Sequence, residues 1–247
     1  MKILIKELHK ELNKSLPNKN KFLINAEFNK EEMMIKFINK TSNKMNSFIS
    51  KNFKGLAKIT INCLKANCKL RNFKYNNFFS ITLNLEKILD KMQEKNNFNE
   101  IDIEKGIYSL TDEEFNTMYC KKCLKKTCHF SYKCFYSLPN LLIISINRKL
   151  SNKYEKMKEK EKIPVKISEI LNIDFDDETR FHKYCKKKYF LVGFLGRIEN
   201  NGNESYFSVA KYQCSWILYE GNKINEMKSL IDYEPKGDII MLFYQAI

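Results

Sequence analysis

The stretch from Tyr189 to Glu220, YFLVGFLGRIENNGNESYFSVAKYQCSWILYE, constrains this chain most. Leu191, Val192, Phe194 and Leu195 form an apolar run that predicts a strand. Asn200, Asn201, Gly202 and Asn203 follow, and Gly and Asn tolerate the positive φ that a tight loop requires. Tyr206, Val209 and Tyr212 mark a second strand, and Trp216, Leu218 and Tyr219 a third after a short turn. Strands joined by such short connections pair antiparallel, so this segment predicts a sheet meander.

The rest of the chain is read around that sheet. Ile5, Leu8, Leu12 and Leu16 recur at helical spacing up to Pro17, and Met33, Met34, Phe37 and Ile38 give an apolar side to a helix over about 29–45. The run ITIN predicts a short strand ahead of Cys63. Phe78, Phe79, Ile81, Leu83 and Leu85 read as a strand of period two, and a helix starts near Leu85. Residues 96–106 read as a polar connection, and Thr111 with Glu114 three residues on predicts a helix start. The continuous apolar run Leu141–Ile144 predicts a buried central strand, and Ile239–Tyr244 a final one. Residues 149–162 alternate charges without apolar periodicity, as a solvated segment does. The acidic cluster Asp174, Asp176, Asp177 and Glu178 lacks the glycine and ligand spacing of a calcium loop.

With 43% hydrophobic and 13% aromatic residues, the chain can bury a core and is not a disordered tail. Its 44 basic against 29 acidic residues give a net charge of +15, which favours acidic partners. The plain alternative is a compositional bias toward Lys and Asn. Residues 1–14 lack the apolar core of a signal peptide, and no run is long enough to span a membrane. A membrane-free intracellular protein is the expectation, with its cysteines reduced.

Reduced thiols in close pairs point to metal. Cys63-x4-Cys68 and Cys120-x2-Cys123 are two such pairs, and together they offer the four sulfur ligands that suit structural zinc. Cys128, His129 and Cys134 lie near enough in sequence to replace one ligand, and small buried thiols without metal are the alternative.

Taken together, these segments resemble the domain of ubiquitin-specific proteases, peptidase family C19. The resemblance rests on Leu138-Pro139 followed by its apolar strand and Arg148, on the Tyr189–Glu220 meander, on the Leu242-Phe243-Tyr244 close, and on the cysteine pairs. It implies an α+β fold: a papain-like palm of antiparallel sheet, a reduced helical thumb and a fingers extension. It implies a single domain over 1–247, with a helical part at 1–50, fingers at 51–137 and palm sheet at 138–247. The paired thiols would then hold a zinc ribbon in the fingers.

Active members of that family carry a Gly-His-Tyr triplet after the palm loop, whose His is the general base. Here Glu204, Ser205 and Tyr206 stand there, and Glu220 stands where the residue orienting that His is found. No Cys precedes Cys63, so the nucleophile box is absent from this sequence. A serine hydroxyl is no base near neutral pH. His182-x-x-Cys185 and Cys214 offer no base and orienter together. The expectation is therefore no catalytic residue and no deubiquitinase activity. The catalytically inactive branch that works in the spliceosomal tri-snRNP has a Ser-Tyr at this place, at the same spacing from a tyrosine matching Tyr189. The resemblance implies a nuclear scaffold for mRNA splicing that binds tri-snRNP components, with ubiquitin and RNA as further candidate partners. Two other readings stay open: a divergent or truncated deubiquitinase, with a cytoplasmic location as the alternative, and a zinc-ribbon nucleic-acid binder.

Overall fold

The computed structural model describes residues 25–28, 33, 36, 47–93, 100–149, 163–174, 185–200, 202–230 and 237–247. In chain order these form β1 (Asn25–Phe28), α1 (Phe48–Phe53), β2 (Gly55–Cys63), β3 (Arg71–Phe78), β4 (Ile81–Asn84) and α2 (Leu85–Gln93). Then come β5 (Ile101–Asp102), α3 (Ile103–Ser109), β6 (Glu114–Cys120), β7 (Lys125–Ser137) and β8 (Leu141–Asn147). β9 (Val165–Lys166), β10 (Ile170–Ile173), β11 (Lys187–Asn200), β12 (Asn203–Tyr212), β13 (Ser215–Glu220), β14 (Lys223–Met227) and β15 (Asp238–Ala246) complete the order. The architecture is α+β, with antiparallel pairing dominant. Among the described residues no helix is long and apolar enough to cross a membrane.

The chain divides into two compact units, and each draws on separated segments of sequence. The first holds residues up to Phe79, Leu110–Asn140 and Ile173–Lys187. Its sheet runs β1-β3-β2-β7-β6, antiparallel throughout. α1 enters through a capping box in which the hydroxyls of Ser47 and Ser50 each accept the other residue's backbone N–H. Leu56, Phe73 and Tyr75 form one buried cluster with Tyr136 against it. Gly55 lies opposite Phe78, whose ring fills the space a Cβ at Gly55 would need.

The second unit holds Ser80–Ser109, Leu141–Asn172 and Lys188–Ile247. Its sheet runs β14-β13-β12-β11-β15-β8-β4, and β10 pairs with β11. β8 is an inner strand with Leu142, Ile143 and Ile144 all buried, which explains its unbroken apolar run. β4 lies parallel to it, with Ile81 opposite Ile144. α2 buries Leu85, Ile88 and Leu89, one stripe at helical spacing. Each such burial contributes about 1.5–3 kcal/mol. The Asn84 side chain accepts the Glu86 backbone N–H at 3.0 Å and so begins that helix.

Two sequence expectations are corrected here. Thr111 does not open a helix: it is buried, and residues 114–120 form β6, whose full length pairs with β7. The helix lies earlier, as α3, inside the stretch read as a polar connection, and Ile103 and Ile107 are buried there. Cross-strand pairing with β7 outweighs the local capping signal. The helix expected over 5–16 and the segment 150–162 fall outside the described residues, as do residues 175–178 of the acidic cluster. Residues 33 and 36 are helical as expected, but Met33 is exposed rather than on a buried side.

Candidate metal centre and the β11–β12 loop

In the first unit, β2 ends at Cys63 and β6 ends at Cys120, and each strand runs into a turn carrying the second cysteine of its pair. The first turn closes with Cys68 N–H donating to Lys65 O at 2.8 Å, and the second with Leu124 N–H donating to Cys120 O at 2.9 Å. Both turns use one device. The residue after the second cysteine takes a left-handed conformation, Lys69 at φ 46° and Leu124 at φ 52°. Such a φ is costly for a side-chain-bearing residue and persists where the surroundings demand it.

The four Sγ atoms of Cys63, Cys68, Cys120 and Cys123 lie within 4.8 Å of one another. Cys68 and Cys120 sulfurs are 3.5 Å apart, and Cys63 and Cys123 sulfurs 3.9 Å. A tetrahedron of zinc–thiolate bonds near 2.3 Å has edges of about 3.8 Å, so the spacing fits that ion. It is far too long for disulfides. Cys63, Cys68 and Cys120 are buried. These four cysteines could hold a structural metal ion, and zinc suits an all-sulfur set.

The metal-free thiols are unequal. Burial opposes ionisation of Cys120, but hydrogen bonds involving the Cys123 backbone, the Cys68 thiol and the Lys122 backbone outweigh it and bring the pKa down to about 6. Burial, then hydrogen bonds with Cys68, Cys120 and Cys63, push Cys123 up to about 12. The Thr127 hydroxyl, 3.3 Å from Cys63 Sγ, lowers that thiol. One thiolate is thus favoured beside a neighbour that holds its proton. A divalent ion would displace the remaining protons. The three substitutes weighed from sequence take no part. Cys128 is exposed, Cys134 is buried outside the quartet, and His129 is buried with its Nδ1 2.9 Å from Thr127 O.

In the second unit, the meander forms as its sequence indicates. β11 and β12 pair from Gly193–Ala210 to Asn200–Asn203, and Gly202 takes φ 79° in the loop between them. Ser205 lies opposite Ile198, and Phe207 lies opposite Glu220. Residues two apart share a face of a strand, as do directly opposed residues. Ser205 and Glu220 therefore occupy one face as diagonal neighbours at the loop end of the sheet. Ser205 is exposed.

The other face carries a network that sequence reading missed. Arg197 donates to Glu204 Oε1 at 3.0 Å, and the Tyr206 hydroxyl donates to Glu204 Oε2 at 3.1 Å. That hydrogen bond to the carboxylate holds Tyr206 above the ordinary phenol range. Arg197 also approaches Asp238 at 4.0 Å, and Asp238 pairs with Arg148 at 3.1 Å. Arg148 further donates to Ile239 O and Ile163 O, each at 3.0 Å. Arg148, Glu204 and Tyr206 stood out in the sequence, but Arg197 and Asp238 did not. The members become partners through register, because Arg197 lies opposite both Tyr206 and Asp238. Elsewhere, Cys185 is buried and donates to Phe135 O at 2.6 Å, as a structural thiol does, and Cys214 is exposed in a turn. His182 lies outside the described residues.

A family model described as UCH, ubiquitin carboxyl-terminal hydrolase, matches residues 1–244. No curated protein matches the chain. Among solved structures, the yeast SAGA DUB module with an Sgf73 mutant is similar at a TM-score of 0.66 and 16% identity, over 100% of this chain and 49% of that one. A SAGA Ubp8/Sgf11/Sus1/Sgf73 DUB module is similar at 0.65 and 14%, over 100% and 49%. Another Ubp8/Sgf11/Sus1/Sgf73 module, bound to monoubiquitin, is similar at 0.60 and 13%, over 87% and 47%. The chain spans about half the length of the solved chains it matches. At these identities the likeness establishes the fold alone.

Proposed function

The chain belongs to the ubiquitin carboxyl-terminal hydrolase family, and from that premise we propose that it is a non-catalytic member, a scaffold that docks proteins instead of cleaving ubiquitin. The observation that carries this reading is Ser205. It stands on β12 just past the β11–β12 loop, diagonal to the Glu220 carboxylate, and on this reading it replaces the imidazole that the family's mechanism calls for. Cysteine-based isopeptide cleavage needs a base to take the thiol proton and return it to the leaving amine. A serine hydroxyl does neither near pH 7, and losing such a base costs about 10²- to 10⁴-fold in rate. Glu220 is left with a carboxylate and no ring to orient.

On this reading residues 1–247 act as one family domain, and zinc on Cys63, Cys68, Cys120 and Cys123 braces the sheet that carries them. The Ser205-Tyr206 pair and its spacing from Tyr189 favour the inactive spliceosomal branch, so the partners are tri-snRNP proteins and the site of work is the nucleus. Affinity purification of the tagged chain from its own cells tests this. Tri-snRNP proteins among the bound material support it, and ubiquitin conjugates without splicing factors count against it.

A second reading has its own observation. The cysteine quartet keeps its ligating geometry, and the solved neighbours include DUB modules assembled with Sgf11, Sus1 and Sgf73, one holding monoubiquitin. A deubiquitinating assembly is the activity this second reading assigns. It predicts turnover of a ubiquitin amide reporter, and the first reading predicts none.

A further inference from the structure

One face of the first unit's sheet is aromatic and basic, buried around Thr60, Phe73 and Tyr75 and open toward its β6 edge. Phe115 on β6 lies opposite Phe130 on β7, their ring centroids 5.5 Å apart, and Phe130 lies 5.7 Å from Tyr132. Arg71 on β3 donates to the Tyr132 hydroxyl at 3.3 Å. Strand alternation puts Tyr119 on the same face as Phe115. Core aromatics would be covered, but Phe115 is 64% exposed and Tyr119 59%. The positions of β2, β3, β6 and β7 on this face also carry Lys58 and Lys126, and among the described residues they include no Asp or Glu. The cysteine turns continue the pattern. Residues 63–71 and 120–126 hold seven basic residues and no acidic one, all seven exposed.

We propose that this face binds single-stranded RNA. Phe115, Tyr119 and Phe130 offer ring planes on which unpaired bases stack, and Arg71 and Lys126 stand beside them for the phosphates. The two features together select the ligand. Exposed rings alone would suit a protein partner, and dispersed lysines alone would merely keep the chain soluble. Here the rings share their face with basic residues and, at the described positions of its strands, with no Asp or Glu. A duplex hides its base faces, so stacking calls for single strands. Asn62, opposite Phe130, and Thr117, between Phe115 and Tyr119, place an amide and a hydroxyl on the same face. Those groups can pair with a ribose 2′-hydroxyl, which commits the surface to RNA over DNA.

The test is a titration of the full chain with a fluorescent oligouridylate of about 12 nucleotides, over a range of salt. The double variant Phe115→Ala/Tyr119→Ala removes two exposed rings and should keep the wild-type melting profile. It is expected to bind about ten-fold more weakly or worse with an unchanged salt slope. Lys126→Glu is expected to flatten the slope of log affinity against log salt by about one. Three results would overturn the proposal: no binding at low salt, an unaffected aromatic variant, or equal affinity for a duplex. Equal affinity for oligodeoxythymidylate would overturn the assignment to RNA. Monoubiquitin binding lost in the aromatic variant, with no oligouridylate bound, would give the face to a protein partner instead.

Discussion

The ring of Phe207 lies over the bare Cα of Gly196 on the opposing strand, where any Cβ would overlap Phe207 Cζ. This contact sits one pair from Arg197–Tyr206 and two residues from Ser205, so it helps fix the end of β12. Gly196→Ala must push the ring aside in a well-packed sheet and should destabilise the chain by about 1–3 kcal/mol. Pairing it with Phe207→Leu frees that space and should recover part of the loss. Denaturant unfolding of the two single variants and the double variant measures the coupling.

The cysteine quartet predicts a metal content of about one zinc per chain. Cys120→Ser should lower that content sharply and reduce the melting temperature. Cys128→Ser, outside the quartet and exposed, should change neither. Elemental analysis with melting curves before and after chelation decides it. Full metal content in Cys120→Ser would remove Cys120 from the ligand set.

Tyr244 is buried, and its hydroxyl donates to Ser168 O at 2.9 Å. Burial, then the nearby Glu104 charge, raises its pKa well above the ordinary 10.0. A raised acid keeps its proton in the folded state after the unfolded chain has lost it. Stability from this group is therefore full below pH 10 and declines as pH rises through the alkaline range. Tyr244→Phe should cost about 1 kcal/mol at neutral pH and make the alkaline decline shallower. Unfolding measured at neutral and alkaline pH reads both effects.

The two arginines of the β11–β15 network should differ. The Arg148 side chain is 10% exposed and holds two carbonyls and Asp238, so Arg148→Ala strands buried acceptors and should cost about 3 kcal/mol or more. The Arg197 side chain is 29% exposed, and its partner Glu204 is 47% exposed. Glu204→Gln should cost less than about 1 kcal/mol. A large loss for Glu204→Gln would mean the pair does more than geometry and exposure allow.

The segments legible in sequence were those in which one physical signal acted alone. β8 announced itself by its apolar run, β11 to β13 by alternation and by Gly202, and the quartet by its spacing. β6 was misread because Thr111 and Glu114 mimic a helix cap, and only the partner β7 supplies the competing hydrogen bonds. α3 was missed because it is short and holds Gly106, which lets the helix pack to within 3.0 Å of Leu83 at a would-be Cβ. β14 has two apolar residues, Ile224 and Met227, three apart, so its pairing with β13 leaves no period-two trace. The Arg197–Asp238 contact depends on register between β11 and β15, strands far apart in sequence, which no local pattern encodes.

The most direct test of the central claim is turnover of a ubiquitin amide reporter by the purified full chain, with Ser205→His assayed beside it. The account predicts no rate above the blank for the wild-type chain, because β12 presents Ser205 and no imidazole to the Glu220 side of the sheet. Wild-type turnover that a thiol-alkylating reagent abolishes would contradict it.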